Sequence, residues 1–448
     1  MISLFRIIQI YILFAQNLEL LRSLFRAVAY RLSYQLLFFV VGLFLAAIAG
    51  PQIFGIIALM TVNAAAFIII TDFGTGAALV WHGAGNEVRR EGIFSFAVGS
   101  GVVQLFLFLF VELIVVKMSG RTLLTRQPYS SLFLLSDLLY FTGLIITEKY
   151  TALFYARNKA SLVNKALVIM TACFLVVFIL AYFNTITNIN PVFFFASMTF
   201  SLGFGTAIVF HVGLDKMKFS KPGNQDLRSL LGFSAIVFVT NIIQFFAYRL
   251  DFWLVDHFYS HTALGVYAQA NRFVQLAWVL PTIVASLLAP AMRDPGNPMG
   301  DQVFLTLSRL LNLATILIVW GIVAIALLMY SWFLPPGYSR GLPPLLIMLP
   351  GYFFFATTTL LAAWFSAKRL LKVNLVGSCL CFLLILVADL TLIPAYSLVG
   401  AALANTLAYS MTTLYFVLQF QRYASARWKD LFLWNKKDIS LLKIIFPR

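Results

Sequence analysis

The chain has 448 residues, of which 61% are hydrophobic and 11% are charged, and its formal net charge is +16. Because a soluble globular domain is charged at about 25% of its positions, this composition excludes a soluble protein. The apolar residues fall in runs of about 18–25, the length that crosses a bilayer as a helix, and they lack the alternation typical of a membrane barrel. The sequence therefore predicts an all-α polytopic membrane protein.

The predicted elements begin with residues 1–30, where apolar side chains alternate with arginines and predict an N-terminal interfacial helix. Twelve apolar spans follow. The first six cover roughly 33–50, 56–80, 93–116, 131–148, 166–183 and 192–213. The second six cover roughly 230–256, 264–290, 304–330, 342–366, 373–392 and 397–419.

The spans divide the chain into domains. We expect an N-terminal six-helix bundle over 31–213, a cytoplasmic linker over 214–228 and a C-terminal six-helix bundle over 229–420. A basic tail with two tryptophans, over 421–448, suits a membrane surface. A Gly-x-x-Ala pattern in each half, at Gly55 and Gly265, is offset by 210 residues and indicates a parallel repeat.

The basic residues predict the orientation. Of the 32 Lys and Arg residues, 26 fall on the side that also holds both termini, and four fall in loops on the opposite side: Lys117, Arg121, Arg126 and Arg340. This asymmetry places both termini in the cytoplasm. It also explains the net charge without a nucleic-acid partner.

Charges inside the apolar spans mark a candidate site. Arg249, Asp251 and Arg272 lie in the seventh and eighth spans, where a charge costs roughly 2.5–3.5 kcal/mol and usually faces a bundle interior or wet cavity. Each arginine is close to a dozen residues from the turn near Ser260, so the two lie at similar depth. Polar residues recur there at helical spacing: Asn241, Gln244, Tyr248 and Asp251 on one span, and Gln269, Arg272 and Gln275 on the next.

Short motifs along the chain point to a known family. They are Gly50-Pro51-Gln52-Ile53-Phe54-Gly55, Asp72-Phe73-Gly74-Thr75-Gly76, Arg249-Leu250-Asp251 with Leu264-Gly265-Val266-Tyr267-Ala268, Gly337-Tyr338, and Ile393-Pro394-Ala395-Tyr396 with Gly400-Ala401-Ala402-Leu403-Ala404. Their order and spacing over roughly 32–420 resemble the polysaccharide transporter family, the Wzx-type O-antigen flippases, in the superfamily of multidrug, oligosaccharidyl-lipid and polysaccharide exporters. Ser397, where the family more often has glycine, and Pro335-Pro336 depart from the pattern.

The resemblance implies two six-helix bundles around a central cavity and transport by alternating access. It implies a flippase rather than an enzyme, with undecaprenyl-pyrophosphate-linked oligosaccharide as cargo. The cargo is a repeat unit of O-antigen, capsule or exopolysaccharide that crosses to the outer leaflet of the bacterial inner membrane. Expected partners are the lipid-linked sugar, the bilayer, and a polysaccharide polymerase with its chain-length regulator.

Two interpretations of the charged spans stay open. In one, Arg249 and Arg272 bind the pyrophosphate or an acidic sugar, because guanidinium holds phosphate oxygens through paired donors. In the other, Asp251 neutralises an arginine in a structural ion pair. Asp72 is either a coupling site for H⁺ or Na⁺ or a helix cap. Asp389 and Glu112 lie near span ends and are expected to reach the interface.

Rival functions belong to two other classes. A cation-coupled multidrug exporter of the same superfamily would place acidic rather than basic groups in its cavity. A membrane polymerase or ligase usually carries one large outer loop for its chemistry. The sequence shows no catalytic, metal or cofactor motif.

Overall fold

The computed structural model describes residues 18–76, 78–79, 90–157, 159–183, 190–213, 220, 223–293, 300–424 and 426–433. These ranges are helical and contain no β-strand, only one isolated bridge between Arg121 and Pro128. Long apolar helices are the stable way to cross a bilayer, because every backbone hydrogen bond is made inside the helix. The predicted all-α polytopic membrane fold is confirmed.

Eleven α-helices make up the described ranges. In chain order they are α1 Leu18–Asp72, α2 Arg90–Ser119, α3 Ser131–Ala156, α4 Ala160–Tyr182, α5 Pro191–Gly213, α6 Asn224–Phe258, α7 His261–Arg293, α8 Asp301–Leu328, α9 Leu342–Ala367, α10 Leu371–Tyr423 and α11 Trp428–Phe432. A π-helical turn at Met329–Phe333 and a 3-10 helix at Pro336–Gly341 join α8 to α9.

Eight helices of the described ranges are long and apolar enough to cross a membrane. They include α1 and α10, each of which consists of two helices merged across a kink. The helices α6 and α7 fall outside this set, and they carry Arg249, Asp251 and Arg272. With α6, α7 and both halves of the kinked helices, a helix occupies each of the twelve predicted span positions.

Two kinks lie at breaks between predicted spans, one at the end of 33–50 and one at the start of 397–419. Gly50 has a φ of +67° and precedes Pro51, whose missing N–H suits the start of a new helix. Ser397 has a φ of +55° and follows Pro394 inside α10. The Tyr259 hydroxyl donates to the carbonyl oxygens of Ile393 (2.9 Å) and Pro394 (3.1 Å) beside this second kink.

The second predicted span, expected to reach residue 80, is interrupted after Asp72, where α1 ends. Phe73 and Gly74 have positive φ values of +54° and +75°, which break the helix. Thr75, Gly76, Ala78 and Leu79 are helical again. The polar linker at 214–228 and the segments 1–30 and 421–448 lie partly outside the described residues, and their predicted roles stay predictions.

The chain divides into two compact units. Unit 1 comprises Met1–Phe245 and Ser260–Gly265, and unit 2 comprises Phe246–Tyr259 and Val266–Arg448. The division falls inside α6, between Phe245 and Phe246. The predicted domain bounds themselves stay a prediction.

Unit 1 contains a close helix crossing between α1 and the first turn of α7. A Cβ atom on Gly55 would lie 1.7 Å from the His261 carbonyl oxygen, and one on Gly265 would lie 1.9 Å from that of Pro51. Backbones in contact at this distance leave no room for any side chain. The two glycines matched by the sequence repeat therefore face each other.

Unit 2 has an aromatic core that holds α11 in place. Phe304, Trp364 and Phe420 pack together, with ring centroids 4.9 Å apart for the closest pair, Trp364 and Phe420. Leu431 of α11 is fully buried in this cluster. Its carbonyl oxygen accepts a hydrogen bond from the Asn312 amide at 3.1 Å. The start of the basic tail is thus anchored on α8.

Candidate functional site

Asp251 is the polar centre of unit 2. It is 2% exposed, and its carboxylate accepts hydrogen bonds from the Tyr267 hydroxyl and from the Asn405 amide, the latter at 3.0 Å. The same Asn405 amide also lies 2.8 Å from the Tyr267 oxygen. These three side chains come from α6, α7 and α10. A buried carboxylate keeps its place only when donors replace water, so the network fixes the three helices together.

Asp389 lies close to this network and lacks a partner. Its carboxyl group is fully buried, and neither oxygen has a hydrogen-bond partner among the described residues. Its charge interacts with that of Asp251. Asp389 lies near the end of its predicted span, but its side chain is buried within unit 2 rather than exposed. A buried carboxylate without a partner costs several kcal/mol.

Arg249 is half-buried and forms no ion pair with a carboxylate of the described residues. Its guanidinium carbon lies 5.1 Å from the centroid of the Phe252 ring, a cation–π contact one helical turn away. Its charge interacts with Asp251 only over a longer distance. The direct ion pair of the structural interpretation is therefore not formed between these two residues, since neutral donors satisfy Asp251.

Arg272 is also half-buried, and its charge interacts with the hydroxyl of Tyr338. Tyr338 is fully buried and belongs to the Gly337-Tyr338 motif before α9. One turn before Arg272, Gln269 is fully buried, and neither atom of its amide has a partner in the described part of the chain. An amide in this position can bind a ligand at little further cost, because its desolvation has already occurred.

Gln275 and Tyr248 lie beside a cluster of aromatic rings. The Gln275 amide donates to the Asn271 side chain one turn earlier. The Tyr248 ring is 5.3 Å from that of Trp278, which stacks on Tyr352 at 4.5 Å. The Trp278 indole N–H is buried without a partner among the described residues. Aromatic faces beside the unpartnered Trp278 N–H suit a ligand that is part apolar and part hydroxylated.

Asn241 and Gln244 are the predicted site residues that belong to unit 1. Both are exposed, on the same helix α6 that carries Asp251 further along. Within unit 2, Tyr248, Arg249 and Asp251 lie on α6, and Gln269, Arg272 and Gln275 lie on α7. The hydrogen-bond partners of the Asp251 carboxylate are Tyr267 and Asn405.

Asp72 occupies a separate buried cluster in unit 1. It forms an ion pair with Lys149, accepts from the Thr75 hydroxyl and accepts from the Gly76 N–H at 3.1 Å. The Lys149 ammonium also donates to Thr75 at 2.9 Å. The carboxylate thus caps the chain where α1 ends, and Lys149 balances its charge.

Sequence reasoning missed Tyr267, Asn405 and Asp389 as members of the site. Tyr267 stands in one of the quoted motifs and Asn405 directly follows another, so their positions were the available signal. Nothing in the sequence tells that Asp389 faces inward. In the described residues, no group of three or more His, Cys, Asp or Glu side chains is arranged to hold a metal ion.

The fold and site together define a class of protein. Eight helices of the described ranges are long and apolar enough to cross a bilayer, and buried polar side chains lie among the helices of unit 2. The protein is a multi-pass membrane protein.

The family follows from comparison with known sequences. The family described as "Polysaccharide biosynthesis protein" matches residues 44–334. The chain belongs to this family. No curated protein sequence matches the chain.

Solved structures share the fold. An inward-facing multidrug resistance MATE family transporter of the MOP superfamily is 14% identical, with a TM-score of 0.62 over 89% of this chain and 100% of that chain. The lipid II flippase MurJ, inward closed, is 17% identical, with a TM-score of 0.59 over 96% and 91%. A MATE structure in the bent conformation is 11% identical, with a TM-score of 0.58 over 91% and 95%. At such identities the likeness establishes the fold, which is that of the superfamily the motifs resemble.

Proposed function

We propose that the protein is a flippase for undecaprenyl-pyrophosphate-linked oligosaccharide. It moves the repeat unit of O-antigen, capsule or exopolysaccharide by alternating access from the cytoplasmic to the outer leaflet of the bacterial inner membrane. Both termini lie in the cytoplasm. A polymerase and a chain-length regulator act on the cargo after it has crossed.

The observation that carries this proposal is the state of the charges in unit 2. Asp251 is satisfied by the neutral donors Tyr267 and Asn405, while Arg249 has no ion-pair partner among the described residues. The positive charge of Arg249 is therefore available to an anionic cargo, and Arg272 on α7 adds a second guanidinium. Family membership and the fold shared with a protein named a lipid II flippase support the same cargo class.

Coupling to a cation is the second part of the proposal. Asp72 has its own counter-charge in Lys149, which disfavours it as the coupling group. Asp389 and Asp251 are two buried carboxyl groups whose charges interact, and Asp389 lacks a partner in the described residues. A proton or Na⁺ at this pair would remove the cost of burying two like charges.

The substitution Asp389→Asn tests the proposed role of this residue in coupling. The amide has nearly the same shape but binds neither a proton nor a cation, so we expect transport to lose its dependence on an imposed H⁺ or Na⁺ gradient. The measurement is the transport rate with and without each gradient in proteoliposomes. An unchanged gradient dependence in a folded variant would remove Asp389 from the coupling step.

A multidrug exporter of the same superfamily is the alternative function. The fold shared with a multidrug resistance MATE transporter supports this alternative. Arg249 and Arg272 argue against it, because they would repel an organic cation. A membrane polymerase or ligase is less favoured, because the fold relatives above are transporters.

Translocation in proteoliposomes tests the function. Sealed vesicles are loaded with polyprenyl-pyrophosphate-linked oligosaccharide, and its exposure to an added glycosidase is followed with and without protein. Protein-dependent exposure supports the flippase. Efflux of an organic cation, with no exposure of the lipid-linked sugar, would instead establish the drug exporter.

A further inference from the structure

Unit 1 contains a pocket far along the chain from the arginines of unit 2. It has a volume of about 430 Å³, within the range of roughly 300–1,000 Å³ that ligand pockets occupy. It lies between the second half of α1 and the segment that joins α2 to α3. The lining includes Asn63, Phe67, Ile70, Val115, Arg121 and Arg126.

The pocket has one polar side and one apolar side. Arg121 and Arg126 contribute two guanidinium groups, and both side chains are exposed. In the described part of the chain neither guanidinium has an ion pair or a hydrogen bond. Phe67, Ile70 and Val115 form part of the apolar wall. The lining therefore suits an amphipathic anion.

The polar side is rigidly built. Two buried carboxylates hold the backbone of the connecting segment: Glu112 accepts from the Leu123 N–H at 3.1 Å, and Asp137 accepts from the Leu124 N–H at 2.8 Å. The Asn63 amide donates to the Leu124 carbonyl oxygen at 2.7 Å. Glu112, near the end of its predicted span, is buried rather than exposed. In the described part of the chain neither carboxylate forms an ion pair with Arg121 or Arg126.

Arg121 and Arg126 lie on the predicted outer side of the membrane, where this chain has few Lys and Arg residues. Only four of the 32 Lys and Arg residues lie in predicted outer loops, and two of them, Arg121 and Arg126, are five residues apart. Basic residues in outer loops oppose the insertion bias. Their concentration in one short segment therefore indicates a use for positive charge there.

We propose that this pocket binds the pyrophosphate of the isoprenoid-linked cargo on the predicted outer side of the membrane, with the isoprenoid chain along the apolar wall. The inference rests on the proposed function for its cargo class and adds a second cargo site to it. Two guanidinium groups complement a pyrophosphate better than the single phosphodiester of a common anionic phospholipid. Cargo that has crossed would be held here before release.

Photo-crosslinking tests the inference directly. The probe is a benzophenone-bearing geranylgeranyl pyrophosphate, applied to the full-length protein in neutral phosphatidylcholine nanodiscs, with labelled peptides mapped by mass spectrometry. We expect labelling of the peptides around Phe67 and Val115, and competition by inorganic pyrophosphate. In Arg121→Gln/Arg126→Gln this labelling should fall by about tenfold or more.

A matched control removes two other exposed cations of the predicted outer loops, Lys117→Gln/Arg340→Gln. Neither residue lines the pocket, so labelling should stay at the wild-type level. Unchanged labelling in Arg121→Gln/Arg126→Gln would overturn the inference. Equal competition by phosphatidylglycerol would also overturn it, because the pocket would then be a general site for anionic lipid.

The photo-crosslinking result and the result of the translocation assay can be interpreted independently of each other. Labelling that depends on the two arginines, in a protein that translocates no lipid-linked sugar, supports the pocket and refutes the flippase. Translocation without any labelling of this pocket supports the flippase and refutes the pocket.

Discussion

At the scale of single residues, two buried carboxylates of the described chain are held in different ways. Asp72 is paired with Lys149, whereas Asp251 is held by neutral hydrogen-bond donors. The difference decides what each residue can do. A paired carboxylate is structural, and a carboxylate held by neutral donors leaves Arg249 available.

The pair of Asp72 and Lys149 gives a stability prediction. Asp72→Asn removes the direct ion-pair partner of the buried Lys149 ammonium, although the Glu148 charge still interacts with it, and we expect a loss of about 1–3 kcal/mol in the free energy of unfolding. Asp72→Asn/Lys149→Gln removes both charges and should recover part of that loss. The measurement is thermal or denaturant unfolding of the purified protein in detergent. Equal destabilisation by the single and double variants would contradict a direct pair.

The Asp251 network gives a second prediction. Tyr267→Phe removes the hydroxyl that donates to Asp251 and leaves a buried carboxylate with fewer donors. We expect a loss of about 1–3 kcal/mol in the same unfolding measurement. The control is Tyr415→Phe, whose half-buried hydroxyl makes only a 3.4 Å contact with the Val373 carbonyl oxygen. A loss no larger than that of the control would show that Tyr267 does not support Asp251.

At the scale of the helix, close backbone contact sets the packing of α1 on the start of α7. Gly265→Ala would place a Cβ atom 1.9 Å from the Pro51 carbonyl oxygen, so the backbones must separate. We expect a destabilisation of about 1–3 kcal/mol or more. Gly321→Ala in α8 is the control, because open space surrounds that glycine and alanine favours a helix. A tolerated Gly265→Ala would mean that the crossing is looser than described.

Helix positions were largely predictable from the sequence, and their ends were less so. Apolar runs fix where a chain crosses a bilayer, so a helix stands at each predicted span. Gly50 and Ser397 lie at the ends of predicted spans, and hydropathy does not report that each break is a kink at a single residue of positive φ. The early end of α1 at Asp72 has the same origin in Phe73 and Gly74.

The sequence identified the charged residues of the site, but it did not identify the hydrogen-bond partners of Asp251. Arg249, Asp251 and Arg272 are conspicuous in apolar spans. The partners of Asp251 come from α7 and from the far end of the chain, at Asn405 in α10, and no local pattern predicts that contact. The inward orientation of Asp389 depends on helix rotation, which hydrophobic periodicity determines poorly in a helix that is apolar all round.

At the scale of the whole molecule, the proposed function explains why two arginines lie in the seventh and eighth predicted spans. Each arginine inside a membrane costs roughly 2.5–3.5 kcal/mol, so a compensating interaction is needed. We assign that role to the anionic head of the cargo. Two arginines at similar depth on the antiparallel α6 and α7 would hold it while the sugars remain in water.

The most direct test measures translocation of lipid-linked oligosaccharide by Arg249→Gln/Arg272→Gln in proteoliposomes. We expect the rate of exposure to added glycosidase to fall by about tenfold or more, since each charge-assisted contact is worth more than a neutral one. Lys372→Gln/Arg422→Gln removes two exposed cations of unit 2 and should translocate at the wild-type rate. Wild-type rates in a folded and inserted Arg249→Gln/Arg272→Gln protein would contradict a cargo site built on these arginines.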